Sequence, residues 1–368
     1  MLLCCSFAVA GAQTRWHSPM NDSLPYIEGR AWNLEIGTQY HRLPMAAKDS
    51  VRKPLWDLAC QTAGMYVRFH TDATTIRVKY KPTGSLSMPH MSATGVSGVD
   101  LYMTDSNGCR TWCKGTYSFG DSVSYVYSGL THRGNLRQGS EFCLYLPLYN
   151  GVKGLEIGVP ETSRFSFIAP AKERPIVVYG TSIAQGACAS RPGMAWTNIV
   201  QRTLDVPLVN LGFSGNGRLE ESIFRMLSGI DASLFVIDCM PNMTQERVPL
   251  IKERLIRGVE MLRRSSSAPI LLVEHDGYMG RASSDTERQK YEPTGKELRA
   301  VYEALRQRVP GLYYMTTEEI GLCMDAQVDG VHPTDLGMQQ YADAYIRKIR
   351  SILPSLGSSL QTPGAGGR

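Results

Sequence analysis

The sequence has no run of about 18 uninterrupted apolar residues, the length that a membrane-spanning helix needs. It also has no block of five or more like charges, since its 39 Lys and Arg and 34 Asp and Glu residues are spread along the chain. The net charge is only +5, so this pattern gives no indication of nucleic-acid binding. With 43% hydrophobic residues, the sequence predicts a globular protein without a membrane span and without a nucleic-acid partner.

Cysteine is too scattered to form a framework of disulfide bonds. Nine cysteines are present, and Cys4 and Cys5 fall within the first twelve residues. The other seven have no regular spacing and stand at positions 60, 109, 113, 143, 188, 239 and 323. Cys109 and Cys113 are close in sequence, but no second Cys or His pair follows at zinc-finger spacing. We therefore predict isolated thiols and no metal site.

The first twelve residues have the character of a signal peptide. Residues 2–12 are apolar or small, and Ala10-Gly11-Ala12 is similar to a cleavage site before Gln13. The basic segment that usually precedes such a run is missing, so a buried N-terminal strand is the alternative. The sequence predicts a signal peptide at residues 1–12 and a secreted or periplasmic protein.

Between about Gln39 and Phe167 the chain consists of short strand-like segments separated by Gly, Asn, Asp and Ser. Apolar and polar residues alternate at residues 75–80, 141–148 and 155–159, and no convincing helix interrupts them. Such strands, with turn residues between them, are typical of an antiparallel β-sandwich or jelly roll. We predict this domain at residues 13–169.

The pattern changes after the Pro-flanked polar stretch at residues 169–175. Five continuous apolar runs predict strands that are buried on both faces, at residues 176–179, 206–211, 234–237, 270–273 and 312–315. Helical periodicity lies between them, and Thr294 with Glu297 has the spacing of a capping box at a helix start. We predict an α/β domain at residues 174–354, with a parallel sheet covered on both faces, and a flexible tail at 355–368.

Reactive side chains lie at the ends of these strands, and the carboxyl ends of parallel strands meet at one edge of a sheet, where ligands bind. Ester hydrolysis through a serine needs a nucleophile, a base, an acid that orients the base, and donors for the oxyanion. Ser182 after the first strand would attack, with His332 as general base and Asp329 orienting its imidazole. The backbone N–H groups of Ser182 and Gly215, with the amide of Asn242, would bind the oxyanion.

Each of these residues also has an ordinary structural interpretation. Ser182 is suited to cap a helix, and the glycines around Gly215 are suited to a tight turn. Asp329 and His332 are suited to cap the closing helix, near Pro333. His275 also follows a strand and competes as the base, although no sequence argument brings it near Ser182. The position of four weak features at four strand ends favours the catalytic interpretation.

These segments resemble the sequence blocks of the SGNH/GDSL hydrolase superfamily. Gly180-Thr181-Ser182-Ile183 is similar to the first block, with Thr in place of the usual Asp, and residues 213–217 are similar to the second. Asn242 matches the third block, although Met240-Pro241-Asn242-Met243 departs from G-x-N-D, and residues 329–332 match D-x-x-H. The resemblance covers about residues 174–352. It implies a flavodoxin-like three-layer α/β/α domain and a serine esterase mechanism without metal or other cofactor.

A second resemblance lies in the predicted sandwich. Gly98-Val99-Asp100-Leu101-Tyr102 is similar to the G-x-D-L-Y motif of an N-terminal domain that is paired with one GDSL-like subfamily. That subfamily resembles two-domain carbohydrate esterases, so we expect an acetylesterase-type enzyme that removes short acyl groups from a carbohydrate. Side chains near the predicted cleft are candidates for substrate binding: Gln185, Trp196, Arg218 and Asp100.

Other functions are compatible with the same residues. A glycan-binding protein with an inactive esterase domain is one alternative, and an esterase that acts on lipid or other small acyl esters is another. A nucleotide-binding module is disfavoured, because the glycines at residues 212–217 lack the G-x-G-x-x-G order and follow the second strand of the domain.

Overall fold

A computed structural model describes residues 13–20, 25–132, 139–277 and 285–357. The predicted signal peptide at residues 1–12 and most of the predicted flexible tail lie outside the described residues. Among the helices of the described ranges, none is long and apolar enough to cross a membrane.

The first half of the chain forms a sandwich of two antiparallel sheets. Its strands are β1 (Thr14–His17), β2 (Tyr66–Thr71), β3 (Thr75–Pro82), β4 (Asp100–Thr104), β5 (Arg110–Cys113), β6 (Thr116–Ser118), β7 (Val123–Ser128), β8 (Ser140–Tyr145), β9 (Val152–Pro160) and β10 (Phe165–Phe167). One sheet has the order β1-β9-β3-β7-β6 and the other β10-β2-β8-β4-β5. Ile76, Val78 and Ile157 lie in the core between the sheets, as their alternation with polar residues predicts. The structure confirms the predicted β-sandwich.

The prediction that no helix lies between Gln39 and Phe167 is wrong. Among the described residues, two short helices lie in this range, and α1 (Asn33–Ile36) precedes it. The two are α2 (Lys53–Ala59) and α3 (Ala93–Val96). Leu55, Trp56 and Ala59 of α2 are buried in the core of the second half of the chain, apart from the sandwich core. The apolar stripe formed by these three residues is only one helical turn long. A stripe of that length is too short for periodicity to distinguish a helix from a strand.

The second half of the chain is a five-stranded parallel sheet with helices on both faces. Its strands are β11 (Ile176–Gly180), β12 (Leu208–Gly212), β13 (Leu234–Asp238), β14 (Ile270–Val273) and β15 (Leu312–Met315), in the order β12-β11-β13-β14-β15. The helices are α4 (Ser182–Gln185), α5 (Trp196–Leu204), α6 (Glu221–Leu227), α7 (Leu250–Ser265), α8 (Asp285–Leu305), α9 (Thr317–Ile320) and α10 (Asp335–Ile352). Short 3-10 turns lie at Met45–Ala47, Pro192–Met194, Met240–Asn242, Gln245–Arg247 and Pro354–Gly357. All five predicted strands are present, and this order places β13 at the centre of the sheet with β11 beside it.

The predicted capping box at Thr294 is wrong, because the helix begins earlier. Helix α8 starts at Asp285 and contains Pro293. Proline has no N–H to donate within the helix. The hydroxyl of Thr294 donates to the carbonyl of Tyr291 at 2.6 Å. The Thr294 hydroxyl was predicted to cap the start of a helix. It instead bonds to the preceding turn of the same helix.

The two halves pack against each other through the G-x-D-L-Y segment. Leu101 points into the sandwich core, whereas Asp100 and Tyr102 face the second half of the chain. The Asp100 carboxylate accepts hydrogen bonds from Trp112 Nε1 at 2.6 Å, from the Arg191 guanidinium, and from the Gly193 N–H at 2.9 Å. Asp100 is only 3% exposed. This motif therefore fixes the segment at residues 191–194 that lies between α4 and α5.

Candidate active site

A serine, a histidine and an aspartate are connected by hydrogen bonds, one to the next, at the carboxyl edge of the parallel sheet. Ser182 directly follows β11, and its Oγ lies 2.9 Å from His332 Nε2. His332 Nδ1 lies 2.8 Å from Asp329 Oδ2. The N-cap of α4 is Thr181, so Ser182 does not cap that helix. The hydroxyl of Ser182 is directed at a base instead.

Asp329 is held in place by its own turn. Its Oδ1 accepts the backbone N–H groups of Val331 at 3.1 Å and His332 at 2.8 Å, which leaves Oδ2 for the imidazole. Burial acts to raise the pKa of the Asp329 carboxyl, but hydrogen bonds from His332 outweigh it and the net pKa lies below its ordinary value. Thr334 caps α10, accepting from the Gly337 N–H at 3.2 Å. The Asp329 carboxyl is thus ionised at neutral pH and is hydrogen-bonded to the His332 imidazole.

Three donors suited to an oxyanion face the same edge. Gly215 has φ +66°, a left-handed conformation that glycine adopts without strain, and it is exposed. Within the described residues, the backbone N–H groups of Ser182 and Gly215 donate to no protein acceptor. Asn242 Oδ1 accepts the Gly217 N–H at 3.1 Å, which orients the side-chain amide. A Cβ on Gly217 would lie 2.2 Å from the Gly180 carbonyl, so only glycine allows this approach.

Gln185, a predicted substrate-binding residue, is fully buried and supports the turn that carries Gly215. Its Oε1 accepts the Ser214 N–H at 3.0 Å, and its Nε2 donates to Gln61 Oε1 at 2.7 Å. Arg42 is also fully buried and donates to the Gly212 carbonyl at the end of β12. The prediction for Gln185 is therefore corrected, because its side chain is occupied by these structural hydrogen bonds.

Trp196 and Asp100, the other two buried candidates for substrate binding, also have their side chains in structural contacts. The Trp196 ring stacks on Tyr345 at a centroid distance of 4.1 Å, and the residue has no exposed surface. Asp100 binds the segment at residues 191–194 as described above. Sequence spacing placed both near the site, but their side chains point into the core and into the contact between the two halves.

Arg218 lies beside the turn that carries Gly215, and its Nε donates to the Gly215 carbonyl at 2.8 Å. Burial, with the nearby charges of Arg247 and Arg52, lowers the pKa of its guanidinium. Arg218 is half-buried, so part of it remains accessible to a ligand. His275, the competing base, is buried, and its Nδ1 accepts the Gly277 N–H at 2.9 Å.

Two residues that the sequence did not indicate stand next to the base. The ring of His90, which the sandwich supplies, lies 5.6 Å from the His332 ring, nearly parallel to it. Cys188 follows α4, and burial, together with the charge of Asp329, raises the pKa of its thiol to about 12. The thiol is therefore neutral and is no rival to Ser182 as nucleophile. His90 comes from the other half of the chain, so no local pattern could reveal its position.

Two protein families match the two halves of the chain. Residues 173–350 match the GDSL-like lipase/acylhydrolase family, and residues 14–165 match the N-terminal domain of SGNH-hydrolase-type esterases. The second half of the chain is a GDSL-like lipase/acylhydrolase domain. This GDSL-like chain has no significant match among curated proteins.

Solved structures show the same two-part architecture. A Bacteroides ovatus protein assigned as a GDSL-like lipase is 28% identical, with a TM-score of 0.83 over 93% of this chain and 98% of its own. The salicylyl-acyltransferase SsfX3 from a tetracycline biosynthetic pathway is 17% identical, with a TM-score of 0.70 over 94% and 98%. A family two carbohydrate esterase from Cellvibrio japonicus is 12% identical, with a TM-score of 0.55 over 94% and 100%. The last two similarities show the fold alone.

If Asn242 is an oxyanion donor in this GDSL-like domain, Asn242→Ala is expected to lower kcat by about 10²- to 10³-fold, or about 3 to 4 kcal/mol of transition-state stabilisation. Asn242→Asp is the matched variant, since it keeps the acceptor for the Gly217 N–H and replaces the donor with a negatively charged carboxylate oxygen. It should lose at least as much kcat. Steady-state kinetics on an acetate ester would measure both, and a kcat near wild type in both variants would contradict the assignment.

Proposed function

We propose that the protein is a serine esterase that releases short acyl groups, acetyl above all, from an acylated carbohydrate. The observation that carries this proposal is the hydrogen-bonded sequence from Ser182 Oγ to His332 Nε2 at 2.9 Å, and from His332 Nδ1 to Asp329 at 2.8 Å. This geometry gives a serine hydroxyl a base within reach and gives that base a fixed orientation.

In the proposed first step, Ser182 Oγ attacks the ester carbonyl while His332 Nε2 takes the hydroxyl proton. The oxyanion accepts hydrogen bonds from the N–H groups of Ser182 and Gly215 and from the amide of Asn242. His332 then gives its proton to the departing sugar oxygen, which leaves an acyl group on Ser182. In the second step, water loses a proton to His332 and attacks the acyl carbonyl. His332 then returns that proton to Ser182 Oγ as the bond to the acyl group breaks and the acid is released.

The surroundings of Ser182 support a short acyl group and a polar alcohol. Arg218, Asn242 and His90 present polar side chains near the site. Trp196 and Phe213 are fully buried, so they offer no apolar groove for a long chain, in which each methylene would contribute about 0.8 kcal/mol. Carbohydrate esterases among the solved structures share the fold. The apolar segment at residues 2–12 supports a reaction outside the cytoplasm.

A second candidate is an esterase that acts on lipid or other apolar esters. It is favoured by three exposed apolar side chains in the segment that carries Asp329 and His332. Met324 is 81% exposed, Val328 49% and Leu336 48%. Apolar side chains grouped on a surface are typical of sites that bind apolar partners.

A series of p-nitrophenyl esters of increasing chain length distinguishes the two substrates. We expect kcat/KM for the acetate to exceed that for the octanoate by at least about ten-fold, and acetylated sugars to release acetate. Ser182→Ala, prepared in parallel, corrects for spontaneous hydrolysis. A kcat/KM that rises with chain length would overturn the carbohydrate proposal and favour the lipid one.

A further inference from the structure

Two imidazoles and a thiol form a cluster beside the proposed nucleophile. The ligand atoms of His90, Cys188 and His332 all lie within 4.8 Å of one another. Histidine nitrogen and cysteine sulfur are the ligands that Zn²⁺ prefers, at about 2.0 to 2.3 Å. Ligands at those distances lie about 3.5 Å apart around a tetrahedral ion, so a shift of about 1 Å brings the three together. His90 is exposed, and its side chain is able to make that shift.

The backbone around the cluster holds two of its members close together. Two hydrogen bonds of 3.0 and 3.1 Å close a tight turn at residues 88–91, which carries His90. The Cys188 thiol donates to the His90 carbonyl at 3.4 Å. Thr94 Oγ1 donates to the Ser190 carbonyl at 2.7 Å, which adds a second link between the same two segments. The sandwich therefore presents His90 to Cys188 across the contact between the two halves.

Cys188 itself has an unusual backbone conformation. Its φ is +67°, in the left-handed region, which is strained for a residue other than glycine. Strained conformations of this kind cluster at functional sites. Here the conformation directs the thiol toward His90 and the cleft.

His332 is also prepared to bind a metal through the nitrogen that faces Ser182. Asp329 engages Nδ1 at 2.8 Å, so Nε2, which otherwise pairs with the Ser182 hydroxyl, is the candidate ligand atom. A carboxylate on the second nitrogen of a metal-binding histidine is the usual arrangement in zinc sites, where it fixes the tautomer and the ring orientation. Ser182 Oγ lies 2.9 Å from Nε2, so a metal ion bound to this nitrogen would compete with the serine hydroxyl.

We propose that His90, Cys188 and His332 form a reversible inhibitory site for a thiophilic divalent metal ion such as Zn²⁺. Binding replaces the hydrogen bond between Ser182 and His332 with a bond from Nε2 to the metal, so His332 is unable to take the serine proton. The thiol proton is released to solvent on binding. Mg²⁺ and Ca²⁺ prefer oxygen ligands and do not fit this donor set.

Zinc titration of ester hydrolysis tests the site in the full-length protein, and this arm rests on the proposed function. We expect Zn²⁺ to inhibit hydrolysis of p-nitrophenyl acetate, EDTA to restore it, and Mg²⁺ to have no effect. Cys188→Ala and His90→Ala should each raise the Zn²⁺ concentration for half-inhibition by at least about ten-fold, compared with their own uninhibited rates. Cys109→Ala, which removes an exposed thiol outside the cluster, should leave the half-inhibition value unchanged.

Cobalt absorption gives a readout that needs no activity. Co²⁺ added to Ser182→Ala should give a thiolate-to-cobalt charge-transfer band, and the double variant Ser182→Ala/Cys188→Ala should lack it. Equal zinc sensitivity in wild type and Cys188→Ala, or a cobalt band that survives the loss of Cys188, would overturn the proposed metal site. An inactive protein that still shows the Cys188-dependent band would contradict the esterase proposal and leave the metal site supported.

Discussion

Ser182→Ala is expected to lower kcat for ester hydrolysis by about 10⁴-fold or more while the protein stays folded. The variant loses the oxygen that His332 faces at 2.9 Å, so no acyl-enzyme forms and only the oxyanion donors and binding remain. The substitution removes a single oxygen from a small side chain at the start of α4. Steady-state kinetics with p-nitrophenyl acetate, together with thermal unfolding of both proteins, would measure the effect.

Ser214 provides the matched control, since it follows the neighbouring strand β12 in a similar glycine-containing turn. Its backbone N–H donates to Gln185 Oε1, a contact that Ser214→Ala keeps. Its hydroxyl makes no hydrogen bond to a histidine within the described ranges. Ser214→Ala should therefore retain most of the activity, and equal losses in the two variants would defeat the assignment of Ser182.

Asp329→Asn is expected to lower kcat by about 10⁴-fold, as replacement of the corresponding acid does in other triads. The asparagine oxygen still accepts the backbone N–H groups of Val331 and His332, so the turn is kept. Its NH₂ group then faces His332 Nδ1 and forces the proton onto Nε2. That tautomer presents a donor to Ser182 and is unable to take its proton. The lowered pKa of Asp329 keeps the native residue ionised into the acid range. The difference in kcat between wild type and Asp329→Asn should therefore persist at neutral and mildly acidic pH.

Asp325→Asn is the control for this variant, because Asp325 is an exposed aspartate in the same segment and makes no side-chain hydrogen bond among the described residues. It should have a kcat close to that of wild type. Near-wild-type activity in Asp329→Asn would show that Ser182 and His332 work as a pair and that another group orients the imidazole.

The strands of the parallel sheet could be predicted because they are buried on both faces. Continuous apolar runs such as 270–273 and 312–315 coincide with β14 and β15. Helix boundaries were harder to predict than these strands, since they depend on weak local signals. Thr294 and Glu297 have capping-box spacing but lie within α8, while the capping box that the structure contains is at Thr316 and Glu319.

The residues at the strand ends could be brought together from topology alone, since parallel strands share one carboxyl edge. The direction of individual side chains could not be predicted from topology. Gln185 and Trp196 lie near Ser182 in sequence, but both side chains are buried. Gln185 bonds to the turn that carries Gly215, and Trp196 stacks on Tyr345. His90 depends on how the two halves pack, which only the three-dimensional structure provides.

Labelling with an active-site serine phosphonate, located by peptide mapping, tests the central proposal most directly. The reagent forms a covalent bond with a serine that a base activates, and its phosphoryl oxygen occupies the oxyanion position. We expect one equivalent of label per chain, found on the peptide that contains Ser182, and none in Ser182→Ala. A label on Ser214, or no label on a folded wild-type protein, would contradict the proposed serine esterase mechanism.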